Sequence, residues 1–121
     1  MKKGIYLAAC KARHDAHNIV YQDIEQERYN CDLGGDMLEV DLTPYDYIIA
    51  SPPCNYYSRA NYRRETSEYS QKTKHLLPGI LEKLGKQQKP FIVENVRSPR
   101  LMQQQGVFDI SNKYNIYIYS W

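Results

Sequence analysis

Short apolar segments rich in Ile, Val and Tyr are separated by polar stretches along this chain. Four of them predict β-strands, over Ile5–Ala9, Asn18–Gln22, Tyr45–Ala50 and Phe91–Val93. The third is apolar almost throughout, which is typical of a strand covered on both faces of a parallel sheet. A further segment, Asn115–Tyr119, alternates Ile and Tyr and predicts a fifth strand at a sheet edge.

One helix is predicted between the third and fourth strands, within residues 67–84. Its apolar positions recur at helical spacing: Leu76, Leu77, Ile80, Leu81 and Leu84. Gly85 is the expected C-cap, and Pro78 predicts either a helix start after a turn or a kink. Strand, helix, strand order predicts an α/β fold with a mainly parallel sheet, whose ligands bind beyond the carboxyl ends of the strands.

The composition fits a single domain, residues 1–121, with a thin core. Only about a fifth of the residues are Leu, Ile, Val or Phe, although twelve Tyr add apolar area. Pairing with a second copy or a partner chain is therefore expected. Three cysteines, an odd number, do not form a disulfide framework and are expected to be thiols.

Charge and hydropathy narrow the function classes. Sixteen Lys and Arg against 14 Asp and Glu give a net charge of +2. This net charge is too small for the protein to bind nucleic acid through its overall charge. Any contact with nucleic acid must then be local. No apolar run approaches the roughly 20 residues that cross a bilayer, and no signal-peptide core is visible, so we expect a cytoplasmic protein.

Chemically distinctive residues follow the third and fourth predicted strands. After Tyr45–Ala50 comes Ser51-Pro52-Pro53-Cys54, in which two prolines stiffen a turn that carries a thiol. After Phe91–Val93 comes Glu94-Asn95-Val96, a carboxylate and an amide. A buried free cysteine and a local ion pair or turn cap would explain these residues more simply. Parallel strands that are neighbours would instead bring them to one edge of the sheet.

Together these motifs resemble the DNA cytosine-5 methyltransferases. Pro53-Cys54, Ser58 and Glu94-Asn95-Val96 match that family in order and spacing. Asp23 ends the second predicted strand, where the family has an acid for the cofactor ribose, and Gly35-Asp36 takes the place of a Gly-Asp near the adenine. The likeness covers about half of the chain, from residue 18 to residue 96 without the helix interior.

The resemblance implies a Rossmann-like methyltransferase sheet and a covalent mechanism with S-adenosylmethionine as cofactor. Cys54 would attack C6 of a flipped cytosine, while Glu94, with Asn95 beside it, would hold the N3 and amine edge of the base. A nearby Arg59 or Arg97 would lower the thiol pKa. The implied cofactor-binding residues are Asp23, Asp36, Ser51 and Pro52.

The segment after Cys54 carries the local positive charge that DNA binding requires. Arg59, Arg63 and Arg64 would contact phosphates in the loop that closes over DNA in the family, and Arg97 follows the glutamate motif. A solvated run of charges is the plainer interpretation. Tyr56 and Tyr57 could stack on a base, but ordinary packing is the simpler expectation in so Tyr-rich a chain.

The chain departs from the family pattern at two places. Residues 10–17 contain no glycine where the family has a Gly-rich turn, and the first crossover helix is nearly deleted. The chain also ends soon after the glutamate strand, which leaves no room for a target-recognition domain. A minimal enzyme resembling compact phage or prophage relatives, a chain completed by a partner or a dimer, and a degenerate copy that binds DNA or protein, for example in anti-restriction, all stay open.

Two other interpretations concern single motifs. Ser51-Pro52-Pro53 is also similar to the proline step of amino-methyltransferases, but Cys54 replaces their aromatic residue, which favours carbon methylation. Four residues offer zinc ligands: Cys10, His14, His17 and Cys31. Their spacing matches no known finger pattern, so no metal is assigned.

Overall fold

The computed structural model describes residues 2–9, 18–54, 68–95 and 105–117. These residues form two compact units. The sheet unit contains the described residues up to Pro52 together with Lys89–Glu94, and the helical unit contains residues 53–54, 68–88, 95 and 105–117.

The sheet unit is built on four parallel strands: β1 (Gly4–Leu7), β2 (Ile19–Gln22), β3 (Tyr47–Ala50) and β4 (Phe91–Val93). Their order is β2-β1-β3-β4, so the chain passes from β1 to one side and then returns to the other. The predictions of four strands, of a parallel sheet and of an α/β fold are confirmed. In such sheets, the border between β1 and β3 is the switch point at which ligands bind.

The buried side chains of the two central strands form the core of this unit. Ile5, Leu7, Ile48 and Ala50 are at most 1% exposed, as expected for the central strands of a parallel sheet. Gly4 lies opposite Tyr47 in the β1–β3 register, and a Cβ at Gly4 would collide with the Tyr47 ring. Glycine is therefore required there by the packing of the neighbouring strand.

A smaller apolar cluster packs beside β1 and β2. Ala9, Tyr21 and Cys31 form its buried centre. The Tyr6 ring stacks on Tyr21, with a centroid separation of 6.1 Å and an interplanar angle of 23°. Tyrosine rings thus supply core area that the few aliphatic residues do not, as expected from the composition.

The helical segment between β3 and β4 is broken into two helices, α1 (Glu68–Thr73) and α2 (Leu76–Lys86). Pro78 is the third residue of α2, near enough to its start that the missing N–H breaks no intrahelical bond. A helix start near Pro78 after a turn is thus confirmed. The prediction that Gly85 is the C-cap is wrong, because Gly85 lies inside α2 and Gln87 is the C-cap.

Gly85 is instead the point where another aromatic ring approaches α2. A Cβ at Gly85 would lie 2.6 Å from the Tyr114 ring, and the Tyr114 hydroxyl donates a 2.8 Å hydrogen bond to Glu82. Lys86 and Lys113 lie 3.4 Å and 3.5 Å from the same carboxylate oxygen. Glycine is retained in the helix because this ring occupies the place of a side chain.

Tyr114 follows a helix that the sequence did not predict, α3 (Gln105–Lys113). After it, Asn115 has φ 56, the Ile116 N–H bonds to the Ser111 carbonyl at 2.8 Å, and the Asn115 N–H bonds to Asn112 at 3.4 Å. This is a Schellman C-cap. The predicted fifth strand is therefore wrong over residues 115–117, and residues 118–119 lie outside the described part of the chain.

Candidate functional site

The carboxyl edge of the sheet brings the segments after β3 and β4 together. Ala50 is paired with Val93, and the Glu94 N–H donates to the Ala50 carbonyl at 2.8 Å. The Ser51 N–H donates to the Leu7 carbonyl of β1 at 3.1 Å. Ser51 and Glu94 therefore start from the same edge, with backbones fixed by the ladder.

Ser51 is also held through its side chain. A 3.0 Å hydrogen bond joins its hydroxyl to the Tyr6 hydroxyl across the border between β1 and β3. Ser51 is half-buried and Pro52, which follows it, is buried. The proline turn thus begins from an anchored residue at the switch point of the sheet.

The turn after β1 takes a glycine-like shape without a glycine. Ala8 has φ 57, in the left-handed region that an alanine adopts at a cost. Its N–H donates to Gln22 Oε1 at 3.2 Å, and the Ala9 N–H donates to the Gln22 carbonyl at 3.1 Å. Residue 22 therefore holds the turn after β1 through both its side chain and its backbone.

Gln22 also joins this turn to the loop that carries Asp36. Its side chain is 1% exposed, and Nε2 donates to the Gly35 carbonyl at 2.6 Å. Asp23 follows Gln22 and Asp36 follows Gly35, so this bond ties the backbone segment that carries one acidic residue to the segment that carries the other.

Asp23 and Asp36 are half-buried, and the carboxylate of each stabilises a local turn. Asp23 Oδ1 accepts from the Glu25 N–H at 2.9 Å, and Asp36 Oδ1 accepts from the Leu38 N–H at 2.8 Å. Such contacts orient an Asp side chain and use one acceptor position, while a carboxylate has about four. The remaining capacity suits hydroxyl or amine donors of a ligand.

Cys54 and Glu94, the two residues expected to meet at the base, belong to different units. Cys54 is half-buried in the helical unit, as is Asn95, while Glu94 is exposed in the sheet unit. That the thiol and the carboxylate converge on one ligand stays a prediction.

Several residues that the sequence predicts to bind DNA or zinc lie outside the described part of the chain. Arg59, Arg63, Arg64 and Arg97 are among them, and so are three of the four possible zinc ligands, Cys10, His14 and His17.

Cys31, the fourth possible zinc ligand, is buried, and its thiol donates to the Ala9 carbonyl at 2.8 Å. A thiol in that position acts as a structural donor. Within the described ranges, no group of three or more His, Cys, Asp and Glu could hold a metal ion.

Sequence reasoning missed Gln22, Ala8 and Tyr6 as parts of this edge. Gln22 carried a usable signal, since a polar residue closing the apolar strand Ile19–Gln22 has to find partners when it is buried. Nothing in an alanine indicates a left-handed backbone. Tyr6 looks like any strand tyrosine until its neighbour across the sheet is known.

Comparisons of the chain with protein-family models, with curated proteins and with solved structures gave no match. None of the helices in the described ranges has the length and apolar character that a membrane crossing requires.

Proposed function

We propose that this chain is a DNA cytosine-5 methyltransferase-like protein that acts through Cys54, alone or completed by a second chain. One observation supports this most directly: Ser51 and Glu94 leave neighbouring parallel strands at one edge, fixed by the bonds to Leu7 and Ala50. Cys54 comes three residues after Ser51. The motifs that resemble the family therefore follow strands that are adjacent in the sheet.

The residue types fit the chemistry of this reaction. Cytosine C5 is a weak nucleophile until a nucleophile adds to C6. In the proposed step the Cys54 thiolate forms a bond to C6, and the electrons of the C5–C6 double bond move onto C5. Glu94 would bind the N3 and amine edge, where charge develops. C5 would then form a bond to the methyl carbon that S-adenosylmethionine supplies, with S-adenosylhomocysteine as the leaving group. A solvent base then takes the C5 proton, and the electrons of that C–H bond re-form the C5–C6 double bond and expel the Cys54 thiolate.

The carboxyl edge of the sheet also fits S-adenosylmethionine, which would supply the methyl group when bound. The left-handed turn at Ala8 has the backbone shape that a glycine turn would provide. Gln22 draws the segments of Asp23 and Asp36 together, and both are placed to accept hydrogen bonds. Ser51 and Pro52 would contact the cofactor from the β3 side.

Contacts with DNA phosphates are proposed for Arg59, Arg63, Arg64 and Arg97. They supply a local cluster of positive charge in a chain of net charge +2. Binding through these residues would weaken steeply with salt, because each neutralised phosphate releases counterions.

The second candidate is a catalytically degenerate relative that binds DNA or another protein. The turn-stabilising bonds of Asp23 and Asp36 favour it, since both acids would be retained for folding alone. The two candidates differ in cofactor binding. Only the enzyme requires S-adenosylmethionine.

Calorimetric titration with S-adenosylmethionine and S-adenosylhomocysteine separates them. We expect binding to the wild type and at least roughly tenfold weaker binding to Asp23→Asn and Asp36→Asn, whose amides keep the turn bond but lack the charge. Asp41→Asn is the matched control, because Asp41 makes the same kind of turn bond to the Thr43 N–H at 3.0 Å. A folded wild type that binds neither compound would rule out catalysis by this chain alone.

A further inference from the structure

The first backbone N–H group after each strand is already bonded within the sheet unit. After β2, β3 and β4 the acceptor is a backbone carbonyl, in the donor–acceptor pairs Asp23–Leu33, Ser51–Leu7 and Glu94–Ala50. After β1 the acceptor is a side chain, because the Ala8 N–H donates to Gln22 Oε1 at 3.2 Å. Whether this donor is open to a ligand therefore depends on Gln22.

The turn after β1 has the features of an anion-binding turn. Consecutive N–H groups beside a left-handed residue form a concavity that binds anions, and dinucleotide-binding sheets hold a pyrophosphate at the turn after their first strand. Ala8 is left-handed, with φ 57, but the N–H groups of Ala8 and Ala9 both donate to oxygens of Gln22, to Oε1 and to the backbone carbonyl. Gln22 thus occupies the place that phosphate oxygens would take.

The Gln22 amide is held in this orientation from its other end. Nε2 donates to the Gly35 carbonyl at 2.6 Å, which leaves Oε1 to face the Ala8 N–H. The side chain is 1% exposed. A phosphate at this turn would have to displace a buried amide that is bonded at both ends, and such a displacement is costly.

The acidic residues of the two bridged segments act in the same direction. Asp23 follows Gln22 and Asp36 follows Gly35. Carboxylates repel a phosphate group, whereas they accept hydrogen bonds from hydroxyl and amino groups. The segments that Gln22 joins therefore favour a ligand with hydroxyl or amino donors over one that carries a phosphate.

We propose that Gln22 is a specificity-determining residue that restricts the cofactor site to nucleosides without a phosphate group. This inference rests on the proposed function, which supplies the adenosine part of the ligand. S-adenosylmethionine carries adenosine without a phosphate, whereas adenine nucleotides and dinucleotides carry phosphates on the same sugar. Gln22 discriminates against the second group by using a backbone donor that would otherwise bind a phosphate.

Titrations with adenosine and with adenosine monophosphate (AMP) measure this discrimination, because the two ligands differ only in the phosphate. We follow the NMR chemical shifts of the full chain and expect the wild type to bind adenosine at least roughly tenfold more tightly than AMP. Binding of AMP as tight as that of adenosine would overturn the inference. Phosphate contacts from Lys11 or Arg13, which lie outside the described residues, would give that result.

Variants of Gln22 separate specificity from a merely structural role. In Gln22→Ala the Ala8 N–H loses its side-chain partner, so the preference for adenosine over AMP should fall several-fold. Gln22→Glu keeps an acceptor for this N–H and adds a negative charge, so the preference should be kept or increased. A structural role would weaken the binding of both ligands equally, and an unchanged ratio of dissociation constants in Gln22→Ala would overturn the inference.

Gln26→Ala is the matched control. The Gln26 amide also bonds to a backbone carbonyl, that of Asp32 at 3.2 Å, but this bond is exposed. Both dissociation constants should therefore stay at their wild-type values in this variant. A change in the adenosine preference equal to that of Gln22→Ala would contradict a specific role for Gln22.

This inference and the proposed function fail on different results. Equal binding of adenosine and AMP by a protein that still forms a covalent adduct on DNA containing 5-fluorocytosine overturns the role of Gln22 alone. A wild type that prefers adenosine but forms no adduct keeps this role and loses the methyltransferase proposal. A folded wild type that binds neither adenosine nor AMP overturns the inference.

Discussion

The Glu94 N–H donates a 2.8 Å hydrogen bond to the Ala50 carbonyl, so the β3–β4 ladder continues one residue beyond β4. The Glu94 backbone is fixed while its side chain stays exposed. The ladder fixes the point from which the Glu94 side chain leaves the sheet, and the carboxylate is reachable from solvent by a ligand at this edge. This relationship links the fold to the proposed chemistry.

Replacing Ala8 by glycine should stabilise the protein. Ala8 has φ 57, a conformation that costs an alanine about 1–2 kcal/mol and that a glycine adopts without this cost. Glycine also makes the unfolded chain more flexible, and this effect offsets part of the stabilisation. We expect a net gain of up to about 1 kcal/mol in urea unfolding. The control Ala9→Gly should instead lose about 0.5–1 kcal/mol, since Ala9 is buried. A loss of stability in Ala8→Gly would show that the left-handed turn is not formed.

Replacing Gln22 by leucine should destabilise the protein. Gln22 is 1% exposed, and the change removes the side-chain partners of the Ala8 N–H and the Gly35 carbonyl. Because Ala8 is half-buried and Gly35 is exposed, water replaces part of the lost bonding, and a cost of about 1–2 kcal/mol is expected. Gln26→Leu serves as the control, because the Gln26 amide bond to the Asp32 carbonyl is exposed and should be worth less than about 0.5 kcal/mol. Similar unfolding free energies for both variants would refute the bridging role of Gln22.

Replacing Gly85 by alanine should destabilise the protein although alanine is the better helix former. The new methyl group would lie 2.6 Å from the Tyr114 ring, and such overpacking costs about 1–3 kcal/mol. In a Tyr114→Ala background the same change should stabilise by up to about 1 kcal/mol, because only helix propensity remains. Additive effects in this double-mutant cycle would mean that the ring does not contact α2.

The contact between Glu82 and Tyr114 should make stability depend on pH. The Tyr114 hydroxyl, followed by Lys113 and Lys86, lowers the pKa of the Glu82 carboxyl below its usual 4.5. A lowered pKa adds stability above the pKa of the unfolded chain, and this stability is lost as the pH falls through the folded value. Tyr114→Phe should therefore differ most from wild type at neutral pH and less in acid.

Tyr117→Phe is the control for this pH profile, because the Tyr117 ring is 81% exposed. Its denaturant midpoint should follow that of the wild type throughout the titration. A difference between Tyr114→Phe and wild type that stays constant through the carboxyl range would argue against the hydrogen bond.

The strands and α2 could be predicted because their apolar residues recur with a clear period. Ile5, Leu7 and Ile48 are buried as their alternation indicates, and Leu77 and Leu84 are buried on one side of α2. Gly85 was misinterpreted because a glycine near a helix end usually marks a C-cap, and the ring that approaches it comes from a residue 29 positions later. Contacts between residues so distant leave no local trace.

Prediction from the sequence also failed where a residue's role depends on its folded surroundings, both after α3 and at the candidate site. Alternation of Ile and Tyr predicted a strand over Asn115–Tyr119, but Asn115 caps α3, a role that asparagine often takes in the left-handed region. At the site, Ser51 and Glu94 could be placed from the order of the strands. The turn at Ala8 depends on Gln22, a partner that is adjacent only in the folded sheet.

The central claim, that Cys54 adds to a cytosine while Glu94 binds it, is tested most directly by trapping on DNA containing 5-fluorocytosine. Fluorine at C5 cannot leave as the proton does, so the thiolate adduct persists after methyl transfer. With S-adenosylmethionine present, the wild type should form a covalent complex that survives denaturation, Glu94→Gln should form it more slowly, and Cys54→Ser should form none. A complex of equal yield with Cys54→Ser, or none with a wild type that is folded and binds both cofactor and DNA, would contradict the claim.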